Sequence, residues 1–154
     1  GLIIDNGGRI GVNGTKENRV VFEGDRLENA FSTIPGQWGT IWLREESVAN
    51  SINYAIIKNG VIGVLTDGVS NFLTKNVTIT NTEIFNHSNF DVLARESKID
   101  SYNSVFGSAG QSSVALTEGG NYNFTHCTFA NFWNNGLRPM ASILFNNFLA
   151  FTND

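Results

Sequence analysis

Charged residues close several short apolar segments of this chain: Arg44 and Glu45 after WL, Asp67 after LT, Arg95 and Glu96 after LA, and Glu118 after LT. Residues at equivalent ends of similar segments come together when the segments stack side by side. A file of Asp67, Arg95 and Glu118 could then hold an acidic sugar, or Ca²⁺, which takes several oxygen ligands. The competing account is a ladder of exposed ion pairs, each contributing about 0–1 kcal/mol. No clustered Asp motif appears, and Lys98 and Asp100 do not supply one.

The aromatic residues are a second source of binding chemistry. Trp38, Trp42, Tyr54, Tyr102 and Trp133 offer flat surfaces on which sugar rings stack. For Trp38 the alternative is core packing or loop anchoring. For Trp42 the choice turns on one residue of strand phase. If Ile41, Val64, Val92 and Val114 point inward, Trp42, Leu65 and Leu93 form an outward apolar stripe suited to a partner; shifted by one, they become core. Ligand-binding candidates are therefore Trp42, Arg44, Asp67, Arg95 and Glu118. His87 and His126 fall at different places in the repeat described below, so a two-His metal site is not expected. No G-x-S-x-G elbow occurs. Cys127 reads as buried and inert, and as the single cysteine it allows no internal disulfide. The N-x-S/T triplets at Asn13, Asn76, Asn86 and Asn123 are what an Asn/Ser/Thr-rich chain makes by chance.

Stacking is suggested by a recurring phrase. SINYAIIKN (51–59) returns as ITNTEIFN, DSYNSVFG, FTHCTFAN and NNFLAFTN, with gaps of 27, 21, 24 and 22 residues from Asn59 to Asn86, Gly107, Asn131 and Asn153. Two places before each origin stand Ile57, Ile84, Val105, Phe129 and Phe151, all apolar. A period in the low twenties that tolerates insertions marks a repeat architecture. A single coil of that length cannot bury its inward side chains, but stacked coils bury them in files. The expected fold is all-β: a right-handed single-stranded parallel β-helix, or solenoid, of about five to seven coils at roughly 4.8 Å per rung. The five apolar positions would form one dry file, and the Asn column would sit at a turn where amides bond from rung to rung. Within residues 1–154 one interruption is evident. Asp25–Gln37, with Pro35-Gly36, reads as a protruding loop. Pro139 would weaken pairing near the end.

Composition agrees with strands and turns. Among 154 residues the charged fraction is 16%, with 16 Gly and 2 Pro, and Asn, Ser and Thr are plentiful, a mixture that disfavours helix. The net charge of −4 with dispersed basic residues gives no electrostatic case for nucleic acid. No apolar run approaches the ~20 residues of a membrane helix, and GLIIDNGGRI is not a signal peptide. Both ends lack a polar cap, which suggests a segment of a longer chain.

The run NGTKENRVVFEGDRLE, then PGQWGTIWLREES, then NSINYAIIKNGVIG, resembles the right-handed parallel β-helix superfamily that includes pectate lyases. More narrowly it resembles β-helix lipoproteins of the Bacteroidota cell envelope. That resemblance spans essentially the whole chain and implies export to the cell surface or outer membrane, with a lipid anchor upstream. It also implies a scaffold without catalysis, presenting a face to other envelope proteins, to the rest of its own chain or to a glycan, and needing no cofactor. The alternative it implies is a polysaccharide lyase or glycosidase acting on an acidic glycan through Asp67, Arg95 and Glu118, with Ca²⁺. A flat Thr array for ice binding is discounted, since only Thr78 and Thr80 form a T-x-T rung.

Overall fold

Valine and isoleucine alternate with polar residues in runs of three to six, and left-handed residues end the runs. That pattern gives short strands and abrupt corners. A computed structural model describes residues 1–68, 74–138 and 140–146. The strands are β1 (Leu2–Ile4), β2 (Gly11–Asn13), β3 (Val20–Phe22), β4 (Ile41–Leu43), β5 (Asn50–Asn53), β6 (Ala55–Lys58), β7 (Ile62–Asp67), β8 (Val77–Thr80), β9 (Glu83–Phe85), β10 (Phe90–Tyr102), β11 (Val105–Gly107), β12 (Ser112–Thr125), β13 (Thr128–Ala130) and β14 (Ile143–Asn146). The helical element among the described residues is one 3₁₀ turn, Asn29–Phe31.

All pairings are parallel and fall into two sheets. The nine-stranded sheet runs β1-β4-β7-β10-β8-β5-β2, with β12 on β10 and β14 on β12; the five-stranded sheet runs β13-β11-β9-β6-β3. Here the expected single-stranded β-helix of five to seven coils is corrected. The strands form a half-barrel of two parallel sheets, not one regular solenoid of equivalent coils. The physical cause lies in β10 and β12, of 13 and 14 residues. Each runs through the place where a coil would turn. The first half of β10 pairs with β7 and its second half with β8, fusing two arms into one branched sheet. The bend falls at Glu96 and Glu118, whose φ angles are 48° and 61°, with a register shift between Arg95 and Ser97.

The other corners are built from left-handed residues in register. Tyr54, Asn81 and Asn103 have φ near 50°, and each N–H reaches the carbonyl of the next strand layer, at Thr80, Tyr102 and Thr125. Asn adopts this region more readily than most residues, which explains its abundance here. The amides also bond one another: Asn103 Nδ2 donates to Asn81 Oδ1 at 2.8 Å, and Asn86 Nδ2 to Asn59 Oδ1 at 2.8 Å.

The core fills the space between the sheets. Ile41, Leu43, Ile52, Ile57, Val64, Val77, Ile79, Ile84, Val92, Ile99, Phe106 and Val114 are fully buried. Each such side chain contributes about 1.5–3 kcal/mol relative to exposure. One file of the five-stranded sheet runs Phe22, Ile57, Ile84, Phe106, Phe129. The expected file is thus corrected by one residue: Phe106 occupies the inner place, while Val105 points out at 40% exposure. The left-handed residue of that layer is Ser108, not Gly107, which accounts for the slip. Phe151, Asn153 and Pro139 lie outside the described residues. Asp25–Gln37 is mostly exposed and is tied down at its base, where Gln37 Nε2 donates to the Phe31 and Ile34 carbonyls and Asn59 Nδ2 to Ser32.

Candidate functional site

Strand phase in the nine-stranded sheet decides the site. Ile41, Val64, Val92 and Val114 are all fully buried and lie side by side. The residue after each of the first three therefore points outward, so Trp42, Leu65 and Leu93 are neighbours on the outer face with Ile3 beside Trp42, while Ala115, next in that row, is buried. Trp42, Leu65 and Leu93 are half-buried, and Ile3 is 58% exposed.

Two residues further along lies a file that alternates in sign. The registers place Asp5 beside Arg44, Arg44 beside Asp67 and Asp67 beside Arg95, and continue to Thr117. Arg95 grips Asp67 through two parallel hydrogen bonds, Nε to Oδ1 at 2.6 Å and Nη2 to Oδ2 at 2.9 Å. The Trp42 Nε1–H donates to the same Oδ2 at 2.7 Å. Arg44 donates to Asp5 at 3.2 Å and stands over the Trp42 ring at 5.4 Å, within cation–π range. Trp42 is thus held edge-on by a carboxylate and covered by a guanidinium.

Of the sequence candidates, Trp42, Arg44, Asp67 and Arg95 come together. Glu118 sits one step aside: Thr117 is in register with Arg95, and Glu118 is an exposed corner residue beside Glu96. Asp5 was missed, although the ends of LIID, IWLR, VLTD and VLAR carry the signal once aligned. Two shallow grooves flank the file. One of about 360 Å³ is lined by Asp5, Trp42, Arg44, Glu45, Glu46 and Asp67. The other, of about 200 Å³, is lined by Glu45, Asp67, Arg95, Glu96 and Glu118.

Six carboxylates against two guanidiniums make this face acidic. Hydrogen bonding to Asp67 raises the Arg95 pKa, with the Asp67, Glu118 and Glu45 charges adding to it against the cost of burial. A guanidinium held more firmly protonated cannot abstract a proton. Asp67 itself is committed to two partners.

Elsewhere the other candidates are structural. Trp38 Nε1 donates to the Lys58 carbonyl at 2.7 Å, and its ring meets His87 edge-on. His87 is fully buried and His126 exposed. Among the described residues no group of three or more His, Cys, Asp or Glu could hold a metal ion. Cys127 is half-buried, not buried as expected, because it lies in the last layer of the five-stranded sheet; its Sγ contacts Ser101 Oγ at 3.4 Å. Asp100 pairs with Lys75. Tyr102 is 41% exposed and Trp133 half-buried, both away from Trp42. The sequence did not single out Asp91, which meets His87 in the interior.

Comparison with family models, with curated proteins and with solved structures finds no match to this chain.

Proposed function

We propose that this chain is a non-catalytic scaffold that presents the outer face of its nine-stranded sheet to a partner. The observation that carries this reading is Trp42. Its indole is half-exposed beside a groove, fixed by Asp67 and covered by Arg44, so it offers a rigid amphipathic surface at low entropic cost. The surrounding carboxylates favour a protein segment bearing basic residues, or a neutral glycan, over an acidic one. Parallel sheets with fully buried isoleucine and valine files supply the stiffness such a surface needs.

The placement of the protein, exported and carried at a bacterial surface or outer membrane, is supported by the resemblance of its PGQWG and YAIIKNG phrases. Other envelope proteins or the rest of its own chain are the natural partners under that reading. No helix among the described residues is long and apolar enough to cross a membrane. A lyase would need an unprotonated base at Arg95 and a free carboxylate at Asp67, and these two groups instead neutralise each other.

The test has two arms. Neutral oligosaccharides and solubilised envelope proteins are screened for binding to the wild type and to Trp42→Ala, and the Ala variant is expected to lose at least tenfold in affinity. In parallel, acidic polysaccharides are incubated with the protein and Ca²⁺ while ultraviolet absorbance follows unsaturated product. Product that disappears in Asp67→Ala overturns the scaffold reading.

A further inference from the structure

A third groove lies at the corner where the chain passes from the nine-stranded to the five-stranded sheet, and its chemistry differs from that of the Trp42 face. It has a volume of about 460 Å³, within the ordinary range for small-ligand sites, and nearly equal polar and apolar character. Four successive strand layers contribute to its wall through Arg19, Tyr54, Asn81 and Asn103. Lys16 stands at the rim on the turn between β2 and β3.

The floor is rigid. Arg19 is bound to Glu83 and to the carbonyls of Ala55 at 3.0 Å and Asn81 at 3.1 Å. Asn103 and Asn81 are linked amide to amide, and Asn81 donates to Asn53 Oδ1 at 2.9 Å. These bonds orient the carboxamides while leaving each with further donor and acceptor capacity. Val105 presents 40% of its surface as an apolar patch beside them. Tyr54 is half-buried.

Charge selects the ligand. Glu83 neutralises Arg19, so the lining keeps a surplus of one positive charge in Lys16, which is exposed and has no ion-pair partner among the described residues. An ammonium for a carboxylate, oriented amides for hydroxyls, and Tyr54 with Val105 for a C–H face together match one molecule type. We infer that this corner groove binds a carboxylate-bearing sugar, with Tyr54 as the stacking platform, Asn81 and Asn103 as hydroxyl partners and Lys16 as the anion contact. The Trp42 face, with its excess of carboxylates, would repel the same ligand, so the inference stands apart from the function proposed above.

Isothermal titration of the intact protein with a hyaluronan tetrasaccharide, with neutral chitotetraose as control, tests it. Lys16 lies on an exposed turn, so Lys16→Glu leaves the fold intact. Tyr54 has φ 50°, so Tyr54→Asn removes the ring while keeping a residue that tolerates that conformation. The expected result is saturable binding of the acidic sugar, weakened at least tenfold in either variant and unchanged in Trp42→Ala, with no heat from chitotetraose. No binding at millimolar ligand, equal binding by Lys16→Glu, or loss of binding only in Trp42→Ala overturns the inference. The first two outcomes leave the Trp42 reading standing; the third would also contradict the selectivity argued for that face.

Discussion

His87 Nδ1 lies 2.8 Å from Asp91 Oδ1, and both side chains are completely shielded from solvent. The ring is packed beneath Gly60 and Gly63: an added Cβ would stand 3.1 Å from His87 Cδ2 at Gly60 and 2.9 Å from Cε1 at Gly63. His87 Nε2 and Asp91 Oδ2 find no hydrogen-bond partner among the described residues. Burying such a pair is costly unless both groups are neutral.

That pair predicts a particular stability profile against pH. Burial lowers the His87 pKa from 6.5 to about 3, so its contribution is complete above pH 6.5 and is lost as the pH falls towards 3. Burial also raises Asp91 well above 3.8, outweighing the opposing influence of Ser113, the Gly107 backbone and Arg138. The Asp91 contribution is therefore complete below 3.8 and is lost as the pH rises through its raised value. From 3.8 up to the lower of 6.5 and the raised Asp91 value, the folded and unfolded chains hold equal proton counts at these two sites, so the contributions cancel in slope. Urea melts should show a plateau in that window with losses on either side. Asp91→Asn should flatten the alkaline limb and extend the acid limb up to pH 6.5, removing the plateau; a wild-type profile that rises steadily through the window refutes the neutral pair.

The inward place in the β11 layer belongs to Phe106, stacked on Phe129 at 5.3 Å and edge-on to Phe124 at 5.7 Å. Phe106→Ala should cost about 3–5 kcal/mol in denaturant unfolding, whereas Val105→Ala should stay within about 0.5 kcal/mol. Equal effects would mean that the register assigned to β11 is mistaken.

Gly63 is required by space. A Cβ there would lie 2.5 Å from the Asp91 carbonyl oxygen and 2.6 Å from Ile84 Cγ2. The oxygen belongs to a strand backbone and cannot step aside, so Gly63→Ala should destabilise by about 1–3 kcal/mol through overpacking. Gly8→Ala, near the N-terminal edge and half-buried, offers a useful comparison, since its close contact is the Asp5 carbonyl in an exposed turn. Thermal melts in which Gly63→Ala is the milder change would contradict this account.

Asp67 organises the Trp42 face through three hydrogen bonds. Because Arg95 is 39% exposed, solvent screens much of the ion pair, and Asp67→Asn should cost no more than about 1 kcal/mol. The amide oxygen can still accept from Trp42, so the indole should keep its orientation. Asp67→Ala removes that acceptor, and Trp42 should gain mobility, read as increased acrylamide quenching in a variant retaining Trp42 as its sole tryptophan. Identical quenching in Asp67→Ala would show that Asp67 does not hold the ring.

Much of this arrangement was written in local chemistry. Strand content followed from alternating isoleucine and valine, corners from the Asn column at Asn59 and Asn86, and the meeting of Arg44, Asp67 and Arg95 from their equal distance past the apolar segments, while the side on which Trp42 lies stayed open. These depend on period and backbone preference, which a chain carries residue by residue. Tertiary structure decided what local preference leaves open. That β10 and β12 run through Glu96 and Glu118, joining two arms into a half-barrel in place of a regular coil, depends on pairing partners far away in sequence. The same holds for Phe106 displacing Val105, because one extra residue before a corner reverses which side faces in. Asp91 meets His87 in the interior because Gly60 and Gly63 leave room there for an imidazole and the packed sheets shield both side chains from solvent. A pattern can state which residues are alike; only the packed sheets state which side of each is dry.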